Sequence, residues 1–244
     1  MTSTAKAVAL FSHIVSNPGT TVETAAKELA LPVSTAYRLL VPFFRAGLLA
    51  RPKNGEVMPG IPLMLSLSQA DIAGILGALA RPHLARLSKT LKMTSHLGIF
   101  ENDMVTYLVK VPHGEEQVFT REGMQLEAYC SAIGKVLLSE LSTDNLAAYL
   151  AGGPFIRLTP HTVTDPHHMH SHLMDVSRQG YATDIEEISL GLHCMAMPVF
   201  GPARRALAAI SVSCGDKAKL LAPSTREQLK QTAAQISGAC QPGL

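Results

Sequence analysis

The sequence predicts an α+β protein made of a small N-terminal helical domain, a linker helix and a larger domain with an antiparallel sheet. Helical spacing of apolar residues over the first 46 residues is followed by a hairpin signal, Asn54-Gly55. A long apolar helical stretch comes next, and from Met93 the pattern changes to that of strands mixed with helices. The predicted divisions are residues 1–60, 61–80 and 81–244.

Three helices are predicted in the first domain, over residues 5–16, 22–30 and 33–46. Thr20 and Glu23 have the spacing of a capping box at the start of the second helix. Pro32 suits the start of the third helix, and Gly47 can take the left-handed conformation that ends it. Pro42 lies inside the third helix, where it should kink the helix or weaken its last turns.

Residues 48–58 read as a β-hairpin directly after the third helix. Strands are predicted over residues 48–51 and 56–58, joined by the turn Pro52-Lys53-Asn54-Gly55. Two short helices joined by a tight turn form a helix-turn-helix, and the hairpin would then be the wing of a winged helix. An ordinary helical hairpin at the start of a globular domain is the alternative.

The charge and side chains of the first domain favour DNA binding. The net charge is +2, but residues 1–60 carry six Lys/Arg against three Asp/Glu, whereas residues 61–244 carry fifteen against sixteen. The start of the third helix offers short hydrogen-bonding groups and a cation of the kind that reach base edges and phosphates. The candidate DNA-binding residues are Thr20, Thr21, Ser34, Thr35, Tyr37, Arg38, Arg51 and Lys53.

Residues 60–91 form a nearly continuous apolar helical stretch, interrupted by Pro82. Its apolar content is more than one exposed helix tolerates in water. We therefore expect a linker helix that packs against a second copy of the chain, giving a homodimer with two DNA-reading heads. Burial of the helix against its own domain is the alternative.

The larger domain is predicted to mix strands and helices. Strands are expected over residues 94–100, 104–111, 117–119, 192–200 and 205–214, and helices over residues 131–141, 143–150, 165–178 and 224–236. Ser131 is the expected N-cap of the first of these helices, and Gly180 is expected to end the third.

Several function classes are disfavoured by composition. The cysteines Cys130, Cys194, Cys214 and Cys240 are widely spaced and contain no CxxC pair, so neither a disulfide framework nor a zinc finger is expected. No signal peptide precedes the first helix and no apolar run reaches about 18 residues, so we expect a cytoplasmic protein without a membrane partner. No cofactor is expected.

A run of histidines is the one feature that suggests metal. His168 and His172 are spaced i, i+4 on a predicted helix, a spacing that can bind zinc from one face. No cysteine or carboxylate pair completes the set, so a polar surface helix is the favoured interpretation of the cluster His161, His167, His168, His170 and His172.

Four stretches of the chain resemble the IclR family of bacterial transcription regulators. LPVSTAYRLL with the following AGLL resembles the recognition helix of that family, and YCSAIGKVLLSEL, GYATDIEEISLGLHCMAMPVF and ALAAISVSCG resemble its C-terminal domain in the same order. The resemblance covers nearly the whole chain. It implies a winged-helix N-terminal domain, a GAF-like effector domain, dimers that can pair into a homotetramer, and control by a small metabolite.

The resemblance also implies a set of effector-binding residues, namely Ala132, Ile133, Asp184, Cys194, Ser211 and Ser213. The family usually has small residues before the Gly-Lys pair, so Ile133 should narrow or reshape the pocket. His96, His113, Met124, Leu126 and His193 are further candidates near it.

Chemistry supports the same pocket. A helix start offers unpaired N–H groups and partial positive charge, which hold a carboxylate, and Ala132, Ile133 and Gly134 would supply those groups. Ser211 and Ser213 are two apart on a strand, so both hydroxyls face the same side. Ordinary strand residues and close helix packing are the structural alternative.

We therefore expect a ligand-responsive transcription regulator that binds a palindromic operator and is controlled by a small organic carboxylate, aromatic acids included. An enzyme that processes a small acid through Cys194, or through the carboxylates of Glu186 and Glu187, is one alternative. A DNA-binding architectural protein without a ligand is the other.

Overall fold

The computed structural model describes residues 1–52, 55–68, 70–114 and 118–241, and it divides the chain into two compact units. The first unit is Met1–Asp71 and the second is Ile72–Leu244. The division falls within the stretch 61–80 that the sequence suggests as a linker. The bounds 1–60, 61–80 and 81–244 remain predictions.

The first unit combines helices with a small sheet. Its helices are α1 (Ser3–Ser16), α2 (Val22–Glu28), α3 (Val33–Arg45) and α4 (Ile61–Ser68). Its antiparallel sheet has the order β1 (Thr20–Thr21), β3 (Glu56–Pro59), β2 (Leu49–Ala50). The core is formed by fully buried residues from α1, α2, α3 and the sheet, among them Leu10, Ile14, Val22, Leu40 and Val57.

The start of α2 differs from the prediction. Thr21, not Thr20, is the N-cap, because the Thr21 hydroxyl accepts a hydrogen bond of 3.1 Å from the Thr24 amide. Thr20 is paired with Val57 in the sheet, which holds it outside the helix. The predicted capping box is therefore wrong.

Helix α3 runs through Pro42 to Arg45, so the proline does not end the helix. The missing N–H of Pro42 costs one helical hydrogen bond to Arg38, but the Pro42 carbonyl still accepts from the Ala46 amide at 2.9 Å. Gly47 follows with φ of 70°, the left-handed conformation that the sequence predicts after this helix.

The second unit is built on one six-stranded sheet whose neighbouring strands are all antiparallel. The strand order is β6-β5-β4-β9-β8-β7. The strands are β4 (Thr94–Glu101), β5 (Met104–Val111), β6 (Gln125–Glu127), β7 (Ala182–Ile185), β8 (His193–Phe200) and β9 (Ala206–Cys214). The helices are α5 (Ile72–Leu91), α6 (Ala132–Ser139), α7 (Thr143–Leu150), α8 (Pro166–Gln179), α9 (Lys217–Leu220) and α10 (Pro223–Ala239).

The two faces of this sheet are covered by different helices. Helices α5 and α10 share a core with Ile210 and Val212 of β9, whereas α6 and α8 share a core with Ala209 on the opposite face. Because side chains alternate along a strand, Ser211 and Ser213 lie on the α6 face. An antiparallel sheet with helices on both faces is what the sequence predicts.

Two predictions for residues 60–119 need correction. The helical stretch 60–91 is not interrupted at Pro82, which lies inside α5. Instead, α4 ends at Ser68 and α5 begins at Ile72. Buried residues on both sides of Pro82, such as Ala80 and Leu84, pack α5 against the sheet and hold it helical. Of the predicted strand 117–119, residue 117 lies outside the described residues, and residues 118–119 are not in a strand.

The short strands β6 and β7 were missed because each has only three or four residues and too few alternations to show a pattern. Gly180 ends α8 with φ of 77°, as predicted. Within the described residues, no single helix is long and apolar enough to cross a membrane, although α4 and α5 taken together reach that length and composition.

Candidate functional site

A narrow cavity lies in the second unit between the start of α6 and the sheet. The cavity is small, with a volume of about 10 Å³. Its lining comes from the start of α6, from all six strands of the sheet, from residues 118–120 and from the segment between β7 and β8. The polar lining residues are His96, Tyr107, Thr120, Ser131, Asp184, Cys194, Ser211 and Ser213.

The start of α6 opens on this cavity. Ser131 is its N-cap, as predicted, and the Ser131 hydroxyl accepts a hydrogen bond of 3.1 Å from the Gly134 amide. Ala132 and Ile133 line the cavity in the first turn, where backbone N–H groups have no acceptor within the helix. The two amides and the helix dipole together form a site suited to an anion.

Gly134 does not belong to the lining, contrary to the prediction. Its amide is engaged by Ser131, so it cannot also serve a ligand. A Cβ at Gly134 would lie 2.1 Å from the Ala128 carbonyl oxygen. This glycine therefore permits close packing of α6 on the preceding turn.

Ile133 fills part of the cavity, as the sequence suggests it should. It is buried, and a Cβ placed on Gly98 of β4 would lie 3.1 Å from its Cγ2 atom. The absence of a side chain at Gly98 makes room for Ile133. The branched side chain at the helix start thus contributes to the small free volume.

Strands β7, β8 and β9 place the predicted polar residues on neighbouring positions across the sheet. Asp184 of β7 pairs with Cys194 of β8, and Cys194 pairs with Ser213 of β9. The Ser213 hydroxyl donates to the Cys194 sulfur at 3.2 Å. Ser211 is two residues along β9 and faces the same cavity. Asp184 lies in β7, a short strand that is held in the sheet by its pairing with β8.

Asp184 is a buried carboxyl with one unpaired oxygen. Its Oδ1 accepts a hydrogen bond of 2.7 Å from the Glu187 amide, whereas Oδ2 has no hydrogen-bond partner among the described residues. Burial raises the pKa of this carboxyl to about 7, against the opposing effect of the Lys135 charge. Near neutral pH, Asp184 can therefore either donate or accept a hydrogen bond.

A buried ion pair lies behind the cavity. The Lys135 ammonium of α6 is fully buried and donates to Glu187 Oε1, and the Glu187 carboxylate is also largely buried. The Thr159 and Thr162 hydroxyls donate to the Glu187 carbonyl at 3.3 and 2.7 Å. Glu186, in contrast, accepts from the Gly191 amide at 2.8 Å, so the two adjacent carboxylates serve different structural contacts.

The proposed DNA-reading residues of α3 differ in availability. Ser34 and Arg38 are exposed, Thr35 is half-buried, and the Tyr37 hydroxyl donates to Glu23 Oε1 of α2 at 2.6 Å. Tyr37 therefore links the two helices. This contact lowers the pKa of the Glu23 carboxyl.

The hairpin residue Arg51 is exposed, and its guanidinium lies 4.8 Å from the centre of the Tyr37 ring and 5.1 Å from that of Phe44. Thr20 and Thr21 are half-buried in β1, where the Thr21 hydroxyl caps α2. Lys53, the other predicted wing residue, lies outside the described residues.

Metal binding and catalysis by a cysteine nucleophile depend on how the structure places the histidines, the carboxylates and Cys194. No group of three or more His, Cys, Asp or Glu within the described ranges is arranged to hold a metal ion. Of the histidine run, His168 is exposed, and His161 lies 3.8 Å from the Glu186 carboxylate. Burial and the nearby Asp184 raise the pKa of the Cys194 thiol, the opposite of what activates a cysteine nucleophile.

Several cavity residues were not identified from the sequence. Tyr107 and Thr120 line it without having been suggested, and of the further candidates only His96 and Leu126 reach it, whereas the cavity lining does not include His113, Met124 or His193. The alternation of side chains along β4 and β5 could have predicted that His96 and Tyr107 share one face of the sheet. It could not have predicted which face carries the cavity.

Comparisons with known proteins agree with the fold of the second unit. The family "Bacterial transcriptional regulator IclR C-terminal" matches residues 64–238. The chain is 32% identical to the HTH-type transcriptional regulator XynR of Escherichia coli K12 over 87% of this chain and 86% of the relative.

Solved structures give the same result. The Thermotoga maritima IclR structure has a TM-score of 0.61 and 27% identity, covering 96% of this chain and 97% of that chain. A second structure is that of an IclR homolog from Microbacterium hydrocarbonoxydans, solved in complex with 4-hydroxybenzoate. It has a TM-score of 0.64 and 25% identity, and the match covers 97% of this chain and 98% of that chain.

The fold and these matches together define a bacterial transcriptional regulator. The chain belongs to the IclR family. Its relatives are named as regulators of transcription and not as enzymes, which agrees with the high pKa of the Cys194 thiol.

Proposed function

We propose that this regulator binds a palindromic operator through a winged helix-turn-helix in its first unit and responds to a small organic carboxylate in its second. The observation that carries the proposal is the start of α6, whose first amides open on a buried cavity lined by Ser211, Ser213 and Asp184. Family membership supplies the role in transcription.

Helix α3 is the proposed recognition helix. It follows α2 after a short turn, and Ser34 and Arg38 are exposed near its start. Short polar groups and a guanidinium at this place suit base edges and phosphates of the major groove. The strands β2 and β3 would form the wing, with Arg51 directed at the phosphate backbone and Lys53 assigned the same role from sequence.

The geometry changes the proposed role of Tyr37. Its hydroxyl is already bonded to Glu23 at 2.6 Å, and its ring contacts the Arg51 guanidinium. We therefore infer that Tyr37 positions α3 and Arg51, whereas Thr20 and Thr21 position α2. Direct contacts to DNA are assigned to Ser34, Thr35 and Arg38.

The ligand of the second unit is proposed to be a carboxylate held by the Ala132 and Ile133 amides. The serine hydroxyls of β9 can donate to the same group, and Asp184 can donate when it is protonated. The small free volume means that the cavity must widen for any acid larger than a few atoms. The homolog bound to 4-hydroxybenzoate supports an organic acid in this class of domain.

A homodimer, able to pair into a homotetramer, is the proposed assembly. Six apolar side chains of α4 and the start of α5 are between 50% and 73% exposed, more than isolated surface residues require. They are Ile61, Met64, Leu65, Leu67, Ile72 and Ile75. A second copy of the chain would cover them and supply a second recognition helix for the other half of a palindrome.

Thermal melting of the full chain against a panel of small aliphatic and aromatic acids tests the ligand. One acid should raise the melting temperature by several degrees, since a ligand that binds only the native state stabilises it by mass action. The double variant Ser211→Ala/Ser213→Ala should lose most of that shift, while Ser171→Ala on the exposed face of α8 serves as control. No shift with any acid would contradict the carboxylate pocket.

A further inference from the structure

Residues 118–122, which we call the strap, lie between the cavity and the surface. Val118 and Phe119 line the cavity, and both also line a neighbouring groove of about 300 Å³ that reaches Leu190. The groove is open to solvent, since Phe119 is 47% exposed and Leu190 is 62% exposed. The strap is therefore part of the wall that separates the cavity from the outside of the molecule.

Side-chain hydrogen bonds fasten the strap to the sheet. The Lys110 ammonium of β5 donates to the Val118 and Thr120 carbonyls at 2.5 Å each. The Thr120 hydroxyl lies 2.8 Å from Nε2 of His96 on β4, and the Lys110 amide donates to Glu122 Oε1 at 2.9 Å. Within the described residues, the strap is thus attached to β4 and β5 through side chains and not through strand pairing.

Helix α5 holds the end of the strap through an ion pair. Arg81 donates from Nη2 to Glu122 Oε2 at 3.0 Å, and its Nη1 lies 2.9 Å from Oε1 of the same carboxylate. The two side chains are 51% and 43% exposed, and exposed ion pairs open at little cost. Helix α5 itself is fixed by Ala80 and Leu84, which are fully buried against the sheet. The ion pair can therefore break while α5 stays packed.

The loop between β7 and β8 also lines the cavity, but it is held more firmly. Ile188 of this loop reaches the cavity, and the preceding residue, Glu187, forms the buried ion pair with Lys135. The Thr162 hydroxyl donates to the Glu187 carbonyl at 2.7 Å. Breaking a buried pair costs far more than opening an exposed one. Of these two segments, the strap is therefore the one that can open.

We propose that the strap is the gate of the cavity and that the Arg81–Glu122 ion pair is its latch. The cavity volume is about 10 Å³, so an organic acid enters only after a wall has moved. This inference rests on the proposed function in taking the cavity as the effector site. Because α5 begins at Ile72, directly after the first unit ends at Asp71, the latch also joins the gate to the helix that follows the proposed DNA-binding unit in the chain.

Alkylation of Cys194 by iodoacetamide measures opening of the gate without a known effector. Cys194 lines the cavity, whereas Cys130 is fully buried outside the lining. Iodoacetamide is larger than the cavity, so it reaches the Cys194 thiol only when a wall opens, and Cys130 reports unfolding of the whole domain. The full chain is treated at one fixed pH, and the modified peptides are quantified by mass spectrometry.

We expect Arg81→Ala to accelerate alkylation of Cys194 about two- to fivefold, the effect of losing an exposed ion pair, with Cys130 unchanged. Arg81 does not line the cavity, so the substitution leaves the surroundings of the thiol intact. Arg178→Ala removes an arginine from the exposed pair with Asp175 on α8 and is the control, with the wild-type rate expected. Arg81→Lys keeps the cation and should give an intermediate rate.

Salt separates a latch from a general loss of stability. At about 1 M salt, where the screening length is roughly 3 Å, the wild type and Arg81→Ala should be alkylated at similar rates. Equal rates at low salt, a parallel rise for Cys130, or no alkylation of native Cys194 would each overturn the inference. Thermal melting with the acid panel tests the effector site separately, so an accelerated Cys194 with no acid bound would keep the gate and remove the proposed ligand.

Discussion

Arg38 is the residue of α3 whose exposure and charge suit DNA most directly. The hydroxyl of its neighbour Tyr37 donates to Glu23, whereas the Arg38 guanidinium forms no salt bridge within the described residues. We expect Arg38→Ala to weaken operator binding by about tenfold or more, because a guanidinium contact to DNA contributes roughly 1–3 kcal/mol. Fluorescence anisotropy with operator DNA measures the loss.

The control for this change is Lys230→Ala, which removes an exposed cation from α10 of the second unit. The melting temperature of both variants should equal that of the wild type, since surface substitutions change stability little. Equal DNA affinity of Arg38→Ala and the wild type would contradict the assignment of α3 as the recognition helix.

We expect Asp184 to make binding of the proposed ligand depend on pH. It lines the cavity, its Oδ2 has no hydrogen-bond partner among the described residues, and burial raises its pKa to about 7. Below that pH the protonated carboxyl can donate to the ligand carboxylate, and above it the negative charge repels the ligand. Affinity for the acid should fall as pH rises from 6 to 8.5, by up to about tenfold per pH unit.

Neighbouring ionisable groups also influence the pKa of Asp184. Lys135 lowers its pKa, Glu187 raises it, and the Cys194 thiol is its neighbour on β8. Titration calorimetry across this pH range should therefore compare the wild type with Asp184→Asn, which keeps a neutral donor. The variant should show little pH dependence, and a parallel decline in both proteins would assign the effect to another group.

At the level of elements, α6 is held by the buried pair that Lys135 forms with Glu187 after β7. Removing one partner leaves the other charge buried and unpaired, which usually costs about 3–5 kcal/mol. We expect Lys135→Met to lower the free energy of unfolding by that amount, and Lys135→Met/Glu187→Met to recover most of it. Urea denaturation measures both.

A surface pair provides the comparison. Arg178 and Asp175 form an exposed ion pair on α8, and such pairs contribute about 0–1 kcal/mol. Arg178→Ala should therefore change the free energy of unfolding only slightly. An equally small effect of Lys135→Met would mean that Glu187 takes up a proton or that water reaches it, so the pair would not be what holds α6.

At the level of the whole molecule, ligand and operator must be coupled if the chain is a ligand-responsive regulator. The factor by which an acid changes the operator dissociation constant must equal the factor by which the operator changes that of the acid. Roughly five- to 150-fold is typical of such coupling. Anisotropy titrations with and without acid, and calorimetry with and without operator, determine the two factors.

The proposed dimer determines whether both halves of a palindromic operator are bound at once. A dimer formed over the exposed apolar residues of α4 would bind both halves of a palindrome, and a half-site should then bind much more weakly than the full operator. A coupling factor of one with a bound acid would show that the pocket does not control DNA binding. Analytical ultracentrifugation of the same samples reports the oligomeric state.

Local signals in the sequence determined most of the elements and the polar face of β9. The caps Ser131 and Gly180 mark where helices begin and end, and the alternation of Ser211 and Ser213 shows that they share a face. These features depend on a few neighbouring residues, so they can be predicted from the backbone preferences and the periodicity of a short stretch of sequence. The resemblance to a family supplied the position of Asp184 and Cys194 in the pocket.

Only the tertiary structure decided how distant residues meet. The pairing of Lys135 with Glu187 spans 52 residues, and that of His96 with Thr120 spans 24. The same holds for Tyr37, whose hydroxyl turns to Glu23, and for Gly134, whose amide is taken by Ser131. Such contacts depend on strand register and helix packing, which are set by burial of the whole core and not by local backbone preference. No short sequence pattern therefore predicts them.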